Sequence, residues 1–326
     1  MTNKRSLRVR RKRKRKKRIF IAVLFLMFLT AASYTGYEYM MGKQDSQGKV
    51  SGDDGTTALD EMSSKYKDEF NGVESQNGKT NVLLLGVDQR NDETPRSDTI
   101  MVAQYDEEGN VAKVASIMRD TFVRIPGHDY NKINAAFALG GPELMRQTIK
   151  ENFGVDVEYY SIVDFNGFTQ IVDTLAPSGV EVDIEKNMQY KSGDTNIDLQ
   201  QGTHELDGEE LLGYARYRSD SQGDFGRVQR QQEVLKLLKE EAVSFNGVMK
   251  APRLLGSLQP YIDTNFSSGK ILDLGKDLIF NPLDDIETFS LPEEGNVWNE
   301  RKEYPIGLVL AHNEEESAKA IQEFLE

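Results

Sequence analysis

The chemistry open to this sequence is concentrated in arginines and aspartates that fall close together. Asp88, Arg90, Arg96 and Asp98 sit in and beside one polar loop, and Arg119 and Asp120 end a later apolar run. Arg216, Arg218, Arg227 and Arg230 then fall within 15 residues that contain no lysine. A guanidinium is planar and donates in a fork that matches phosphate oxygens, so arginine in place of lysine points to bidentate recognition of a multiply charged anion. Carboxylates beside it would hold a hard cation such as Mg2+, which neutralises the same anion. The plain alternative is a set of solvated surface ion pairs, each contributing about 0–1 kcal/mol.

Placement on a predicted helix favours the anion. Arg227 and Arg230 lie in the first turns of a helix read over residues 227–245, where the macrodipole disfavours a cation by some tenths of a kcal/mol. A bound phosphate reverses that sign, because helix N-termini and arginines prefer the same ligand. Arg227 and Gln231 are spaced i, i+4 and share a face, so both reach one ligand. Neutralisation by Asp220 and Asp224 is the competing account of these arginines.

The elements that must position these residues alternate between strand and helix. Residues 81–87 (NVLLLGV) read as a strand buried on both faces, and residues 88–97 as a loop rich in Asn, Asp, Thr and Pro. Strands follow over 99–105 and 111–118, joined by a Glu-Glu-Gly-Asn turn, and the second ends at Arg119-Asp120-Thr121. A helix is predicted with Pro142 in its first turn and Gly154 at its close, and another opens at Asp164 with Phe165, Phe168, Ile171, Val172 and Leu175 at helical spacing. Residues 180–184 alternate as a strand, Asp207 and Glu210 open a further helix, and strands at 286–290 and 306–311 precede a last helix capped by Asn313. Such alternation predicts an α/β domain: a central, mixed or mainly parallel sheet covered by helices on both faces. In sheets of that kind ligands meet the strand ends, where the charges gather.

Ahead of this domain the composition changes abruptly. The first 18 residues hold 12 of the chain's 40 basic residues and none of its 53 acidic ones, which leaves 28 basic against 53 acidic residues beyond, a formal charge of −25. The 19 residues 19–37 carry no charge and are about long enough to cross a bilayer core of roughly 30 Å as a helix. Basic residues before such a span keep that end in the cytoplasm. Ala31-Ala32-Ser33 resembles a signal-peptide cleavage site, but the long basic region and the continuing uncharged span favour a retained anchor. The expected organisation is a cytoplasmic tail over 1–18, a transmembrane anchor over 19–41, a polar spacer over 42–78 and one domain over 79–326 outside the membrane. With no cysteine, the chain has no thiolate nucleophile, no disulfide and no Cys-ligated zinc. His128, His204 and His312 lack metal-ligand spacing and read as surface or hydrogen-bonded background.

Taken together, Leu85-Gly86-Val87-Asp88, Arg96-Ser97-Asp98-Thr99, Arg119-Asp120-Thr121, residues 132–137 (KINAAF), 214–218 (YARYR) and 224–231 (DFGRVQRQ) resemble the LytR-CpsA-Psr family of Gram-positive cell-envelope proteins. The match runs in consistent order over residues 79–245, and the basic tail, single crossing and spacer are also typical of that family. The resemblance implies a phosphotransferase that moves an anionic glycopolymer, of wall teichoic acid or capsule type, from a polyprenyl-pyrophosphate carrier to peptidoglycan. By motif, Asp88 and Asp98 would hold Mg2+ or Mn2+. Arg96, Arg119, Arg216, Arg218 and Arg227, with Gln231 and Lys132, would hold the pyrophosphate, and the lipid would lie in an apolar tunnel between sheet and helices. Asp98, Asp120 and Asp224 are the candidates to take the acceptor's proton. Two places depart from the family pattern: the turn at residues 175–180, and everything from Gly247 onward, which carries no motif.

Two other functions fit the same residues, a non-catalytic clamp for polyprenyl phosphate or wall polymer and a hydrolase that uses water as acceptor. A metal pair at Asp88 and Asp98 argues against a simple clamp. A nucleic-acid role is not expected, since topology accounts for the basic arm and no DNA-reading motif is apparent.

Overall fold

The protein is described by a computed structural model, which covers residues 36–44, 66–75, 79–88, 96–106, 111–192, 195–220, 222–244 and 285–326, with shorter runs such as 261–267 between 250 and 283. The expected basic tail and the apolar span up to residue 35 lie outside the described residues. Among the described residues no helix is long and apolar enough to cross a membrane.

The chain enters the central sheet as β1 (Thr80–Asp88), returns as β2 (Arg96–Asp106) and continues as β3 (Val111–Ile117). A short pair, β4 (Phe122–Arg124) and β5 (Tyr130–Lys132), leads into helix α1 (Asn134–Phe153), followed by β6 (Tyr159–Asp164) and α2 (Phe165–Leu175). Next, β7 (Val180–Ile184) pairs with β10 (Gly202–Leu206) and brackets the hairpin of β8 (Met188–Ser192) and β9 (Thr195–Leu199). Helices α3 (Gly208–Arg216) and α4 (Gly223–Val243), strands β11 (Ile262–Thr264) and β12 (Ile286–Leu291), the hairpin β13 (Val297–Arg301) and β14 (Leu308–His312), and α5 (Glu314–Leu325) complete the order.

The six-stranded sheet has the order β11-β6-β1-β2-β3-β12. Four of its strands, β1, β3, β6 and β12, run one way, and β2 and β11 run against them. Period-2 alternation sorts the side chains between two layers. Leu83, Leu85, Val87, Ile100, Val102, Ala115 and Ile117 pack under α1 and α5 through Phe137, Met145, Ile149, Phe153, Ile321 and Leu325. On the other face Met101, Val114 and Ile286 meet Leu235 of α4. The expected sheet with helices on both faces is therefore present, but β1 is fully buried only toward α1, since Val82, Leu84 and Gly86 are half-buried on the opposite side. A second core joins α2, α3 and α4 to the β7–β10 segment through Val172, Leu211, Tyr214, Val234 and Ile184.

Three predicted boundaries move, each for a local reason. Strand β2 starts at Arg96, not Thr99, because the ladder continues past a bulge: Gly86 faces Thr99, Val87 faces Ser97, and Asp98 is the extra residue between. Gly86 is required here, since a Cβ would lie 2.9 Å from the Thr99 Cβ. Helix α1 starts at Asn134 and breaks at Gly140 and Gly141, whose φ of 63° only glycine adopts readily, so Pro142 heads a new first turn within a longer element. Helix α4 starts at Gly223, which places Asp224 as well as Arg227 near its positive end. The caps fall as expected: Asp164 accepts from Gly167 N, Asp207 and Glu210 form a capping box, and Asn313 accepts from Glu316 N.

Helix α4 is fastened to the sheet by one polar side chain. Gln232 Nε2 donates to Ser116 Oγ at 3.0 Å, the Phe289 carbonyl at 2.9 Å and Ser290 Oγ at 3.1 Å, joining the helix to β3 and β12 in a buried position. The β13–β14 hairpin is tied to the opposite side of β3's exit, where Leu310 N donates to the Asp120 carbonyl at 2.9 Å. Of the histidines, His128 and His204 are exposed, whereas His312 is buried with Nδ1 2.8 Å from Ser317 Oγ.

Replacing Gln232 by Ala leaves those acceptors without their donor and should lower the unfolding free energy by about 1–3 kcal/mol, read from urea denaturation at constant m-value. Burial holds His312 below its ordinary pKa, so its charged form is disfavoured in the folded chain. The unfolded chain then binds the extra proton, and stability is lost as pH falls through about 6.5. His312→Gln should remove that share of the acid sensitivity, seen as a smaller fall in melting temperature between pH 7.5 and pH 5.5 than in the parent, those pH values being roughly one unit either side of the free imidazole value.

Candidate active site

Four strands deliver charged residues to a single edge of the central sheet. β1 ends at Asp88, β6 ends beside it at Asp164, β3 ends just before Arg119 and Asp120, and the antiparallel β2 begins there with Arg96 and Asp98. The bulge turns Asp98 out of the regular alternation, a common device for re-aiming one side chain at a strand end.

The charges form a chain of alternating sign. Arg119 Nη1 donates to Asp98 Oδ1 at 2.7 Å, Arg119 Nε lies 3.6 Å from Asp120 Oδ2, and Lys132 Nζ lies 2.9 Å from Asp120 Oδ1. From α4, Arg227 Nη2 meets Asp224 Oδ1 at 2.7 Å, and Arg230 Nη1 meets Asp220 Oδ2 at 2.8 Å. Arg230 also donates to the Tyr217 carbonyl. The two groups adjoin, because each feels the other's charge. Burial works against the Arg119 cation, but Asp98, Asp120 and Asp224 outweigh it and hold its pKa above the usual arginine value. Arg227 moves the other way: burial lowers it, Asp224 opposes that, and the neighbouring Arg119 and Arg218 lower it further.

This hydrogen bonding is incomplete. The Nε atoms of Arg119, Arg227 and Arg230 and the Oδ2 of Asp224 are buried without a hydrogen-bond partner. A 3.6 Å separation is too long to satisfy Arg119 Nε. Buried polar groups are almost always paired, and leaving one unpaired costs about 1–3 kcal/mol. Oxygens of an anion would complete the donors of the neighbouring Arg119 and Arg227. Next to this cluster lies a cavity of about 190 Å³, bounded by Asp120, Arg218 and Asp224 on one side and by Asn299 and Leu308 to Leu310 of the hairpin on the other.

The residues singled out from sequence separate in space. Asp98, Arg119, Asp120, Lys132, Asp224 and Arg227 come together, and Arg218 lines the adjoining cavity. Arg216 lies at the end of α3 with its guanidinium 4.2 Å over the Phe165 ring at the start of α2. Gln231 is half-buried one turn along α4 from Arg227. Asp88 and Arg96 pair through their backbones, while their side chains, and all of Arg90, fall outside the described residues. Pairing of Asp224 with Arg227 and of Asp220 with Arg230 is the neutralisation that the sequence also allowed, and it accounts for part of each arginine's bonding capacity only. Among the described residues no group of three or more His, Asp or Glu is placed to hold a metal.

Sequence reasoning missed Gln232 and the hairpin wall. Gln232 follows Gln231 in a run of polar residues, and nothing local marks one as buried. Asn299 and Leu308 to Leu310 reach the site only through the long return of the chain, and residues after Gly247 carried no motif.

Comparison with known proteins places this geometry among relatives. The chain matches the LytR_cpsA_psr family over residues 40–321. The regulatory protein MsrR of Staphylococcus aureus (strain COL) is 41% identical over 258 residues, covering 79% of this chain and 78% of that protein. The polyisoprenyl-teichoic acid–peptidoglycan teichoic acid transferase TagU of Oceanobacillus iheyensis is 36% identical over 214 residues, 63% of this chain and 65% of that one. A solved structure of TagT bound to LIIa-WTA superposes with a TM-score of 0.61 at 28% identity, over 78% of this chain and 94% of that chain. With the family matched across most of its length and its arginine and aspartate motifs gathered at one sheet edge, this chain belongs to the LytR-CpsA-Psr family.

Proposed function

We propose that this protein transfers a phosphate-linked anionic glycopolymer, of wall teichoic acid or capsule type, from a polyprenyl-pyrophosphate carrier to peptidoglycan. The observation that carries this is the pair of buried guanidinium groups of Arg119 and Arg227, each with an unsatisfied Nε donor, interleaved with carboxylates at one strand edge. The similarity to TagU, named as a teichoic acid transferase, and to TagT bound to LIIa-WTA supports the same reaction class.

Phosphoryl transfer asks for charge neutralisation and alignment more than for a covalent nucleophile, so a chain without cysteine is suited to it. Arg119 and Arg227 bind the pyrophosphate, with Arg218, Lys132 and Gln231 at its margin; Arg96 and Arg216 complete the set expected by motif. An acceptor sugar hydroxyl attacks the phosphorus that bears the glycan. As the new P–O bond forms, the bond from that phosphorus to the bridging oxygen breaks, the hydroxyl proton passes to a carboxylate, and polyprenyl monophosphate leaves. Asp224 and Asp120 both line the adjoining cavity, and of the two Asp224 has an oxygen with no donor of its own.

The residues fit a divalent cation. Mg2+ takes one or two protein carboxylates and completes its shell with water and substrate phosphate. Asp98 is 35% exposed and gives only one oxygen to Arg119, and the buried Asp224 Oδ2 lacks any partner, so carboxylate oxygen is available here. Asp98, with Asp88 across the ladder, would hold the ion. Mg2+ or Mn2+ would neutralise charge on the leaving phosphate.

The carrier's apolar chain would lie on the sheet face toward α4, where Leu84, Ala103 and Leu235 are only partly covered. In this reading the tail 1–18 is cytoplasmic, the span 19–41 crosses the membrane of a Gram-positive envelope once, and the domain acts outside. A non-catalytic clamp would use the arginines but would have no use for carboxylates that take a proton.

Arg119→Ala should lower transfer by about 10²–10³-fold, the effect of removing one aligned donor from a transition state. Product masses with a polyprenyl-pyrophosphate oligosaccharide and a peptidoglycan oligomer would measure it, and a variant that proved unfolded by circular dichroism would count against a ligand role. Asp98→Asn should raise the Mg2+ concentration giving half-maximal activity by about tenfold or more, since even outer-shell partners of a metal contribute about 10–100-fold. An unchanged metal titration would remove Asp98 from the metal set.

A further inference from the structure

The cavity beside the arginine cluster has walls of two kinds. On one side stand Asp120, Asp224 and Arg218; on the other, Asn299 and Leu308 to Leu310 from the C-terminal hairpin, of which Val309 is buried and belongs by register to the opposite face. Antiparallel register pairs Asn299 with Leu310 and Arg301 with Leu308, so these four side chains share one face of the hairpin, while Trp298 and Glu300 lie on the other. Asn299 is exposed, and its amide makes no hydrogen bond among the described residues. Leu308 remains 51% exposed although it borders a cavity. The bond from Leu310 N to the Asp120 carbonyl fixes this wall against the strand end that carries Asp120.

From these walls we infer that the hairpin face forms the acceptor subsite: it seats the hydroxyl-bearing saccharide ring of the peptidoglycan glycan, with Asn299 as a positioning residue that selects it. This rests on the transfer reaction proposed above. Three features favour a neutral sugar over the anionic donor polymer. Of the three charged groups on its wall one is a cation, and the two carboxylates are already held by Arg119, Lys132 and Arg227, so the wall itself offers a polyphosphate few donors. An amide and an apolar edge suit a ring that has hydroxyl and acetamido groups on its rim and C–H bonds on its face. The volume of about 190 Å³ is smaller than the roughly 300–1,000 Å³ that encloses a whole ligand, so the cavity takes one ring at the end or side of a longer chain. A ring seated there presents its hydroxyl to Asp120 and Asp224, next to the phosphate site of Arg119 and Arg227.

The test uses the full chain in detergent micelles and two separate readouts. The first is equilibrium binding of a peptidoglycan glycan oligomer with no lipid donor present. Asn299→Ala and Leu308→Ser, both at exposed positions, should each weaken it about tenfold, the scale of one lost hydrogen bond or contact. Trp298→Ala, on the opposite hairpin face, should leave it within about twofold of the parent. In transfer assays the same Asn299 variant should raise the acceptor KM by a similar factor, with kcat and the donor KM unchanged. Undiminished oligomer binding by both variants would overturn the assignment. So would equal weakening by Trp298→Ala, which would show general damage to the hairpin, or absence of binding by the parent chain. Oligomer binding that behaves as expected in a protein that transfers nothing would instead count against the transferase reading alone.

Discussion

The bond from Arg119 to Asp98 is the contact on which the site depends, because it makes a buried arginine tolerable at a crowded strand edge. Taking a guanidinium out of water costs several kcal/mol, and Arg119 is only 18% exposed. Asp98 offsets this at 2.7 Å, and it does so from a bulge, the one place where β2 departs from its ladder. Further along, Asp120 is shared between Arg119 and Lys132, and Asp224 holds Arg227. Each cation thus has a carboxylate, and each carboxylate is within reach of a second cation or of a cavity. An arrangement of alternating sign holds its members in place without using up all their donors, and the unpaired Nε atoms are what is left over.

Two long-range attachments keep that arrangement in register. Gln232 fastens α4 to β3 and β12, which brings Arg227 down against Arg119, although the charge of Arg119 lowers the preference of Arg227 for its own. Opposite it, the hairpin is fastened at Asp120 by the Leu310 amide and by the Thr121 bridge to Leu310. Both attachments bond to the segment between Ser116 and Thr121. That segment, the end of β3 and its exit, is therefore clamped from the two sides, and Arg119 lies in the middle of it.

Much of this was legible in the sequence, in a graded way. Strong apolar runs fixed β1, β2 and β3, and cap residues with a partner three positions on, Asp207 with Glu210 and Asn313 with Glu316, marked helix starts to within a residue. Arg227 could be named because an arginine stands where a helix N-terminus disfavours it, and Arg119 because it ends an apolar strand run beside Asp120. Details set by pairing were not legible. The bulge at Asp98 depends on the register between two strands, and the break at Gly140 and Gly141 depends on the approach of Tyr66, which a Cβ on Gly141 would meet at 2.5 Å. Arg230 and Gln232 illustrate the same limit. One looked like a ligand and is bonded to Asp220 and the Tyr217 carbonyl; the other looked like surface and is structural.

The separation of charge across the site bears on how one edge could handle a polyanion and a neutral sugar together. Beyond residue 18 the chain carries a formal charge of −25, a field that repels an anionic polymer at long range. At about 0.15 M salt, however, the Debye length is near 8 Å, so an approaching phosphate senses mostly the groups within a turn or two of helix. On the side of Arg119 and Arg227 those groups are buried guanidiniums with free donors. On the side of Asp120, Asp224 and Asn299 they are carboxylates and an amide, with Arg218 beside them on the cavity wall. A phosphate bound on the first side leaves the second to a group that has a proton to give. Because Asp224 is paired to Arg227 through one oxygen and bare at the other, the donor's charge and the acceptor's proton would be felt by the two ends of a single ion pair. Substituting lysine for Arg227 would keep the charge but remove the fork that lets one side chain bond Asp224 and a phosphate at the same time.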